Sequence, residues 1–290
     1  MPVTSASAVL SKRKESAMRT KERVRLAAES IGLSLDDKQL LNRLRFTKTG
    51  KVRNILTESF KTKKGEKEGV LTAVGHLSPA RESGYNTCAF STSCVDFCIK
   101  RTGRMVTDMA LIARISRTLM FKMFPDQFFD QLRMELDRHV WTAKVKGMTP
   151  AIRLNGTSDI PWEDYGIVQE YENIQWYDYT KYPLERRSPP PNYHLTFSVS
   201  ERPNSVDAAL RYLSEGHNAA IVVQSKDGKT RGSAIKAANG LVEKGSLFGF
   251  PAISGDETDV RFWDPPGHWV VLHAKGPAAR NDTGFVLKIA

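Results

Sequence analysis

Hydrophobic positions divide the chain into a helical opening and a body in which short apolar runs alternate with longer amphipathic ones. Past a small, polar start at residues 1–11, Val24, Ala27, Ala28 and Ile31 recur at the i, i+3, i+4, i+7 spacing of one helix face, with Arg19, Arg23 and Arg25 turned away from it. Gly32 stops that helix. Ser34 caps a second, whose stripe is Leu40, Leu41 and Leu44. The charged run 61–67 (KTKKGEK) reads as a hinge. The pattern therefore predicts a mostly helical N-terminal extension over 1–67 and a separate body over 68–290.

In the body, residues 69–76 (GVLTAVGH) form an apolar run of strand length. An amphipathic helix follows over 106–124, lined by Met109, Ile112, Ala113, Ser116, Leu119, Met120 and Met123, a stripe that reads as core packing. Pro125 and Asp126 restart a helix carrying Phe129, Leu132, Leu136 and Val140, and Gly147 closes it. Strands are predicted at 151–155, 174–180, 193–200, 219–225 and 269–275, with a helix at 206–213 and a proline-rich loop at 188–192. Short apolar strands separated by helices predict an α/β fold with a parallel sheet. Six such strands fit a partial or complete barrel better than a sandwich.

Composition adds two constraints. With 290 residues and 40% hydrophobic content the chain can bury a large core. No apolar run approaches the roughly 18 residues of a membrane span, and no apolar signal region opens the chain. A cytoplasmic protein with free thiols and no membrane association is the expectation. The net charge of +11 is concentrated in residues 1–67, where seventeen Lys and Arg face seven Asp and Glu; the body is nearly neutral. Such a head attracts polyanions, DNA or RNA first, with strong salt dependence. A solvated arm that keeps the protein soluble is the other reading of the same charge.

The three cysteines, Cys88, Cys94 and Cys98, fall within eleven residues at spacing C-x5-C-x3-C. Cysteine is usually kept for reactivity, so this clustering points to a metal. Two sites fit: an iron–sulfur cluster with an open coordination position, or Cys₃His zinc with His76 as the fourth ligand. Inert thiols are the third reading. An odd number cannot pair within the chain.

Ligands of parallel α/β folds collect at the carboxyl ends of strands. Polar residues cluster at four such ends: Asn155, Gly156, Thr157, Ser158 and Asp159; Tyr177, Asp178 and Lys181; Ser198; and Lys275, with His273 beside it. Each group alone could be a turn or a cap. Together they predict a binding rim, in which Gly156 admits close backbone approach, Asp159 and Asp178 accept from an amine or hydroxyls, and Lys181 or Lys275 meets a carboxylate or phosphate. A hydrolase or transferase using Asp159 or Asp178 as base is a further option, although no nucleophile elbow, P-loop or metalloprotease helix is present.

The stretches from Asn86 to Cys98 (N-x-C-x5-C-x3-C), 153–160 (RLNGTSDI), 177–181 (YDYTK), 192–198 (NYHLTFS) and 255–261 (GDETDVR) resemble phage- and prophage-encoded proteins of the gene product 88 kind, a family of unknown function. The likeness covers residues 70–287. One step out, the layout is similar to radical S-adenosylmethionine enzymes. That resemblance implies a (β/α) barrel in which Cys88, Cys94 and Cys98 hold a [4Fe–4S] cluster. The open iron would take the amine and carboxylate of S-adenosylmethionine, and residues 155–159 would help bind the amine. The cysteine spacing is wider than the C-x3-C-x2-C usual there, while Phe97 stands where an aromatic normally precedes the third cysteine. The implied function is a phage-type iron–sulfur enzyme acting on or bound to nucleic acid in the host cytoplasm. The alternative is a non-enzymatic nucleic-acid-binding accessory protein whose metal, zinc or iron–sulfur, is structural.

Overall fold

The computed structural model describes residues 54–58 and 62–289. The helices and the nucleic-acid surface expected of residues 1–53 lie outside the described residues. The rest is a mixed α/β structure built on one ten-stranded sheet.

The sheet begins with β1 (Leu56–Thr57), antiparallel to β2 (Val70–Gly75). From β2 the strands follow one another in chain order and in parallel: β3 (Thr149–Arg153), β4 (Gln175–Thr180), β5 (Tyr193–Ser198) and β6 (Ala219–Ser225). The order then changes. β9 (Trp269–His273) lies parallel beside β6, β8 (Phe250–Ser254) parallel beside β9, and β7 (Ser246–Leu247) antiparallel on β8. β10 (Leu287–Ile289) pairs with the last three residues of β6. No pairing between described residues joins β1 to β7, so the hydrogen-bonded ladder is open.

All six predicted strands are present and parallel. The sequence reading missed the short strands β1, β7, β8 and β10 and the helix before β7, α5 (Arg231–Lys244). Residues 56–57 and 62–67, assigned to the N-terminal extension by the charge pattern, pack on β2: β1 extends the sheet, and Gly65 of the 3₁₀ turn Thr62–Glu68 sits against Val70 and Val260.

Both faces of the sheet are buried, in the two-residue period of a strand. Ile152 and Trp176 face one layer with α1 (Asp108–Met123) and α2 (Pro125–Lys146), where Leu119, Met120, Phe128, Leu132 and Leu136 have no exposed surface. Thr107 caps α1 through the Ala110 N–H; Pro125 opens α2, and Gly147 ends it at φ 64°. The buried part of α1 runs from Arg114 to Phe121, whereas Met109 is exposed. The expected stripe is shifted because the helix is covered on a second side, where Thr118 Oγ1 accepts from the Ser78 N–H at 2.8 Å and Arg117 reaches Asn54. A second layer, α4 (Ser205–Ser214) with α5, covers β5, β6, β8 and β9. The short α3 (Ile167–Glu170) joins β3 to β4. No helix among the described residues is long and apolar enough to cross a membrane.

Ala151, Tyr177 and Val70 on the other face meet Val260 and Phe262 in a smaller interior. This interior is partly polar: Arg153 donates to Asp259 at 2.6 Å, and its guanidinium lies 5.5 and 5.3 Å from the rings of Tyr177 and Tyr179. Burial, aided by the charge of Arg261, pushes His194 down to about 4; burial with Arg117 and Arg153 pushes His76 down to about 3. Both rings are neutral when folded, while the unfolded chain takes up protons below its ordinary histidine pKa of 6.5. Their contribution is full above that pH and is lost as pH falls toward about 4 and then 3. Denaturant titrations should show wild-type stability falling over this window, and His194→Gln should flatten the fall; identical slopes would exclude His194 as a cause.

Candidate functional site

The cysteine segment leaves the carboxyl end of β2 and is folded by its own polar residues. Asn86 Oδ1 accepts from the Cys88 N–H at 3.0 Å, and Ser91 N–H and Oγ both return to the Cys88 carbonyl. Thr87 Oγ1 bonds the Ser78 carbonyl, and its N–H bonds that of Ala80 at 3.1 Å. Cys94 lies in the 3₁₀ turn Ser93–Val95, and Cys98 caps the turn Ile99–Arg101. A distant carboxylate holds this segment in place. Glu201, three residues past β5, accepts from the Thr92 hydroxyl and from the Ser93 N–H at 2.5 Å, and Ser93 Oγ meets Thr283 Oγ1 at 2.7 Å.

The bend at 155–159 approaches the same point from β3. Asp159 N–H donates to the Thr87 carbonyl at 2.8 Å, making a parallel bridge with Cys88, and Cys88 Sγ lies 3.9 Å from the Thr157 carbonyl. Asn155 is the hub of the bend. Its Oδ1 accepts from Ser158 Oγ, the Ile160 N–H and Trp162 Nε1, at 2.9 to 3.0 Å, while Nδ2 donates to the Ile160 carbonyl. Gly156 is required by space: a Cβ there would lie 2.5 Å from His76 Nδ1 and 2.6 Å from Val74 Cγ1.

These pieces enclose a cavity of about 460 Å³, a size usual for small-molecule sites. Cys88, Cys94 and Cys98 all line it, as do Asn155, Gly156, Thr157, Ser158 and Asp159, and Lys181, Ser198 and Lys275. Lys181 Nζ donates to Ser198 Oγ at 2.8 Å and stands over the Phe285 ring. Two predicted rim residues are elsewhere. Tyr177 is fully buried with its hydroxyl 3.4 Å from Thr72 Oγ1, and Asp178, 1% exposed, accepts from the Asn155 N–H and the Tyr193 hydroxyl, each at 3.0 Å. Both support the rim from beneath. Strand alternation and the sheet's own depth put them there, and linear position could not show it.

Asp159 is also committed internally: Oδ1 accepts from Thr180 Oγ1 and Oδ2 from the Lys181 N–H, both at 2.8 Å. Burial raises its pKa against those hydrogen bonds, and burial pushes Asp178 up to about 7 despite the nearby Arg153. Burial likewise pushes the Cys88 thiol up to about 11 and raises Cys98. Without a metal, Cys88 is a neutral thiol and no poised nucleophile. The Ala80 N–H points at its sulfur at 3.3 Å, the kind of hydrogen bond that cluster-ligating sulfurs accept. Among the described residues, no three His, Cys, Asp or Glu side chains group tightly enough to hold a single metal ion.

The sequence reading put His273 on the rim beside Lys275, took Asp256 as part of a turn before Asp259, and gave no separate role to Arg153 or Tyr179. Arg153, Tyr179 and His273 line the cavity with Asp259, and Asp256 lies behind them, bound to His273 and Lys275. Their signal was available, since all stand at or just past strand ends, but nothing in the linear order joins Asp256 to His273.

No curated protein and no solved structure matches this chain significantly. A family model described as gene product 88 matches residues 47–289. That span takes in the described sheet, the cysteine segment and every wall of the cavity, and the chain belongs to the gene product 88 family.

Proposed function

We propose that this chain is an iron–sulfur protein of radical S-adenosylmethionine type, with Cys88, Cys94 and Cys98 as the ligands of a [4Fe–4S] cluster in a partial (β/α) barrel. The observation that carries this reading is that three thiols and the 155–159 bend line one cavity at the carboxyl ends of β2 and β3. The donor chemistry suits the group: three cysteine sulfurs on one cavity wall would leave one iron of a cluster open. The cluster, when bound, supplies the electron for reductive cleavage.

The chain's own residues then bind and orient. Backbone groups of residues 155–159, opened by Gly156, would hold the amine of the cofactor. Lys181 and Lys275 offer ammonium groups to a carboxylate or phosphate, and Ser198 holds Lys181 in place. The apolar wall of Val95, Phe97 and Phe285 limits water. A substrate in nucleic acid would be gathered by the basic residues 1–67 in the cytoplasm of the host.

Anaerobic purification with metal and sulfide analysis tests this. The expected result is a brown protein with iron and acid-labile sulfide in equal amounts, lost in Cys94→Ser, which on reduction cleaves S-adenosylmethionine to methionine and 5′-deoxyadenosine. A colourless protein holding one zinc overturns it in favour of a structural metal.

A further inference from the structure

The cysteines and the 155–159 bend leave part of the cavity wall unexplained. Four residues lining it carry buried polar atoms without a hydrogen-bond partner: His76 Nδ1, Arg153 Nε, Tyr179 Oη and His273 Nε2. Such atoms are costly to leave without a partner, and these four face one cavity. His273, 8% exposed, is further distinguished by what holds it. Asp256 Oδ2 contacts His273 Nδ1 at 2.6 Å and accepts from its backbone N–H at 3.0 Å, while Lys275 Nζ donates to Oδ1 at 2.7 Å. Asp256 stands two residues past β8 and His273 ends β9, so the pairing of neighbouring parallel strands sets their separation.

Burial opposes charge on Asp256, but the hydrogen bonds from His273 and Lys275 outweigh it and hold the carboxyl well below the usual carboxylate range. An ionised carboxylate only accepts, so in the neutral ring the proton sits on Nδ1 and the lone pair on Nε2. We infer that His273, oriented by Asp256, is the proton acceptor of this cavity, and that its ligand is a small molecule presenting an O–H or N–H group to Nε2. In the step, the O–H or N–H bond breaks and its electron pair stays on the oxygen or nitrogen. The proton bonds Nε2, and the Asp256 carboxylate balances the resulting imidazolium. Tyr179 Oη–H donates to an acceptor on the same ligand. A cavity of about 460 Å³ admits a molecule of nucleoside size. This inference goes beyond the iron–sulfur reading and does not require it.

The test uses the full chain with ¹⁵N-labelled histidine. Long-range ¹H–¹⁵N correlation, recorded at a pH where the ring is neutral, should show His273 with a protonated Nδ1 and a bare Nε2, its signals assigned by their loss in His273→Gln. Diethyl pyrocarbonate should label His273 through the cavity it lines, with the exposed His217 as internal reference. Asp256→Asn should slow that labelling roughly tenfold or more, the scale of losing a group that orients a histidine. A protonated Nε2, an unlabelled His273 beside a labelled His217, or an unchanged rate in Asp256→Asn overturns the assignment. Should Asp256→Asn fail to fold, the wild-type spectrum and labelling still decide. Neither arm uses a metal, so zinc or no metal at the cysteines leaves this outcome untouched.

Discussion

Glu163→Ala is expected to destabilise the protein by about 3–5 kcal/mol, because it strands a buried guanidinium. Arg187 has a fully buried side chain and grips Glu163 with both ends of its fork, Nε to Oε1 at 2.5 Å and Nη2 to Oε2 at 2.8 Å. Whole domains have only about 5–15 kcal/mol in total, so a loss of this size moves the denaturation midpoint far. The effect reaches the site. Arg187 Nη1 donates to Thr180 Oγ1 at 3.0 Å, Thr180 donates to Asp159, and Asp159 is bridged to Cys88. The double variant Glu163→Leu with Arg187→Met should recover most of the stability, since an apolar pair leaves no charge to solvate. A single variant that unfolds at the wild-type midpoint would show that water already reaches the pair.

Asn155→Ala should cost about 3–5 kcal/mol by a different route, the loss of one shared acceptor. Its Oδ1 serves three donors, and two of them, the Ile160 N–H and Trp162 Nε1, belong to residues no more than 5% exposed. The third, Ser158 Oγ, can rotate to a new partner. Trp162 is stacked on Phe128, so it cannot turn its indole N–H toward water without opening the α1–α2 layer. Trp162→Phe removes one stranded donor, so the double variant with Asn155→Ala should cost less than the sum of the two singles. Additive costs, read from urea midpoints, would place the Trp162 N–H in contact with another acceptor.

The second prediction rests on a residue whose importance a linear reading could name but not explain, whereas nothing in the linear order joins Glu163 to Arg187. Asn155 and Asp159 stand out in sequence because they follow a strand and sit beside Gly156. The natural inference is a ligand-facing role. The structure spends their side chains on the bend and its bridge to the cysteine segment, so from the 155–159 stretch what remains for a ligand is backbone and shape. Asp178 makes the same point more strongly: it looks like a free carboxylate in YDYTK and is a buried acceptor for Asn155 and Tyr193.

What the sequence by itself determined was the six parallel strands, the two long helices between the first pair of them, and the family. Apolar runs at strand length, Pro125 and Gly147 at helix ends, and three cysteines within eleven residues are short-range signals, readable because their physics acts within one turn or one strand. Only the tertiary structure decided the rest: that β9 inserts between β6 and β8, that Glu201 pins the turn carrying Cys94, and that Asp256 meets His273. Those contacts join residues 17 to 108 positions apart, and they arise from which strand pairs with which. Strand order is chosen by burial of whole faces, a sum over many side chains that no single residue displays.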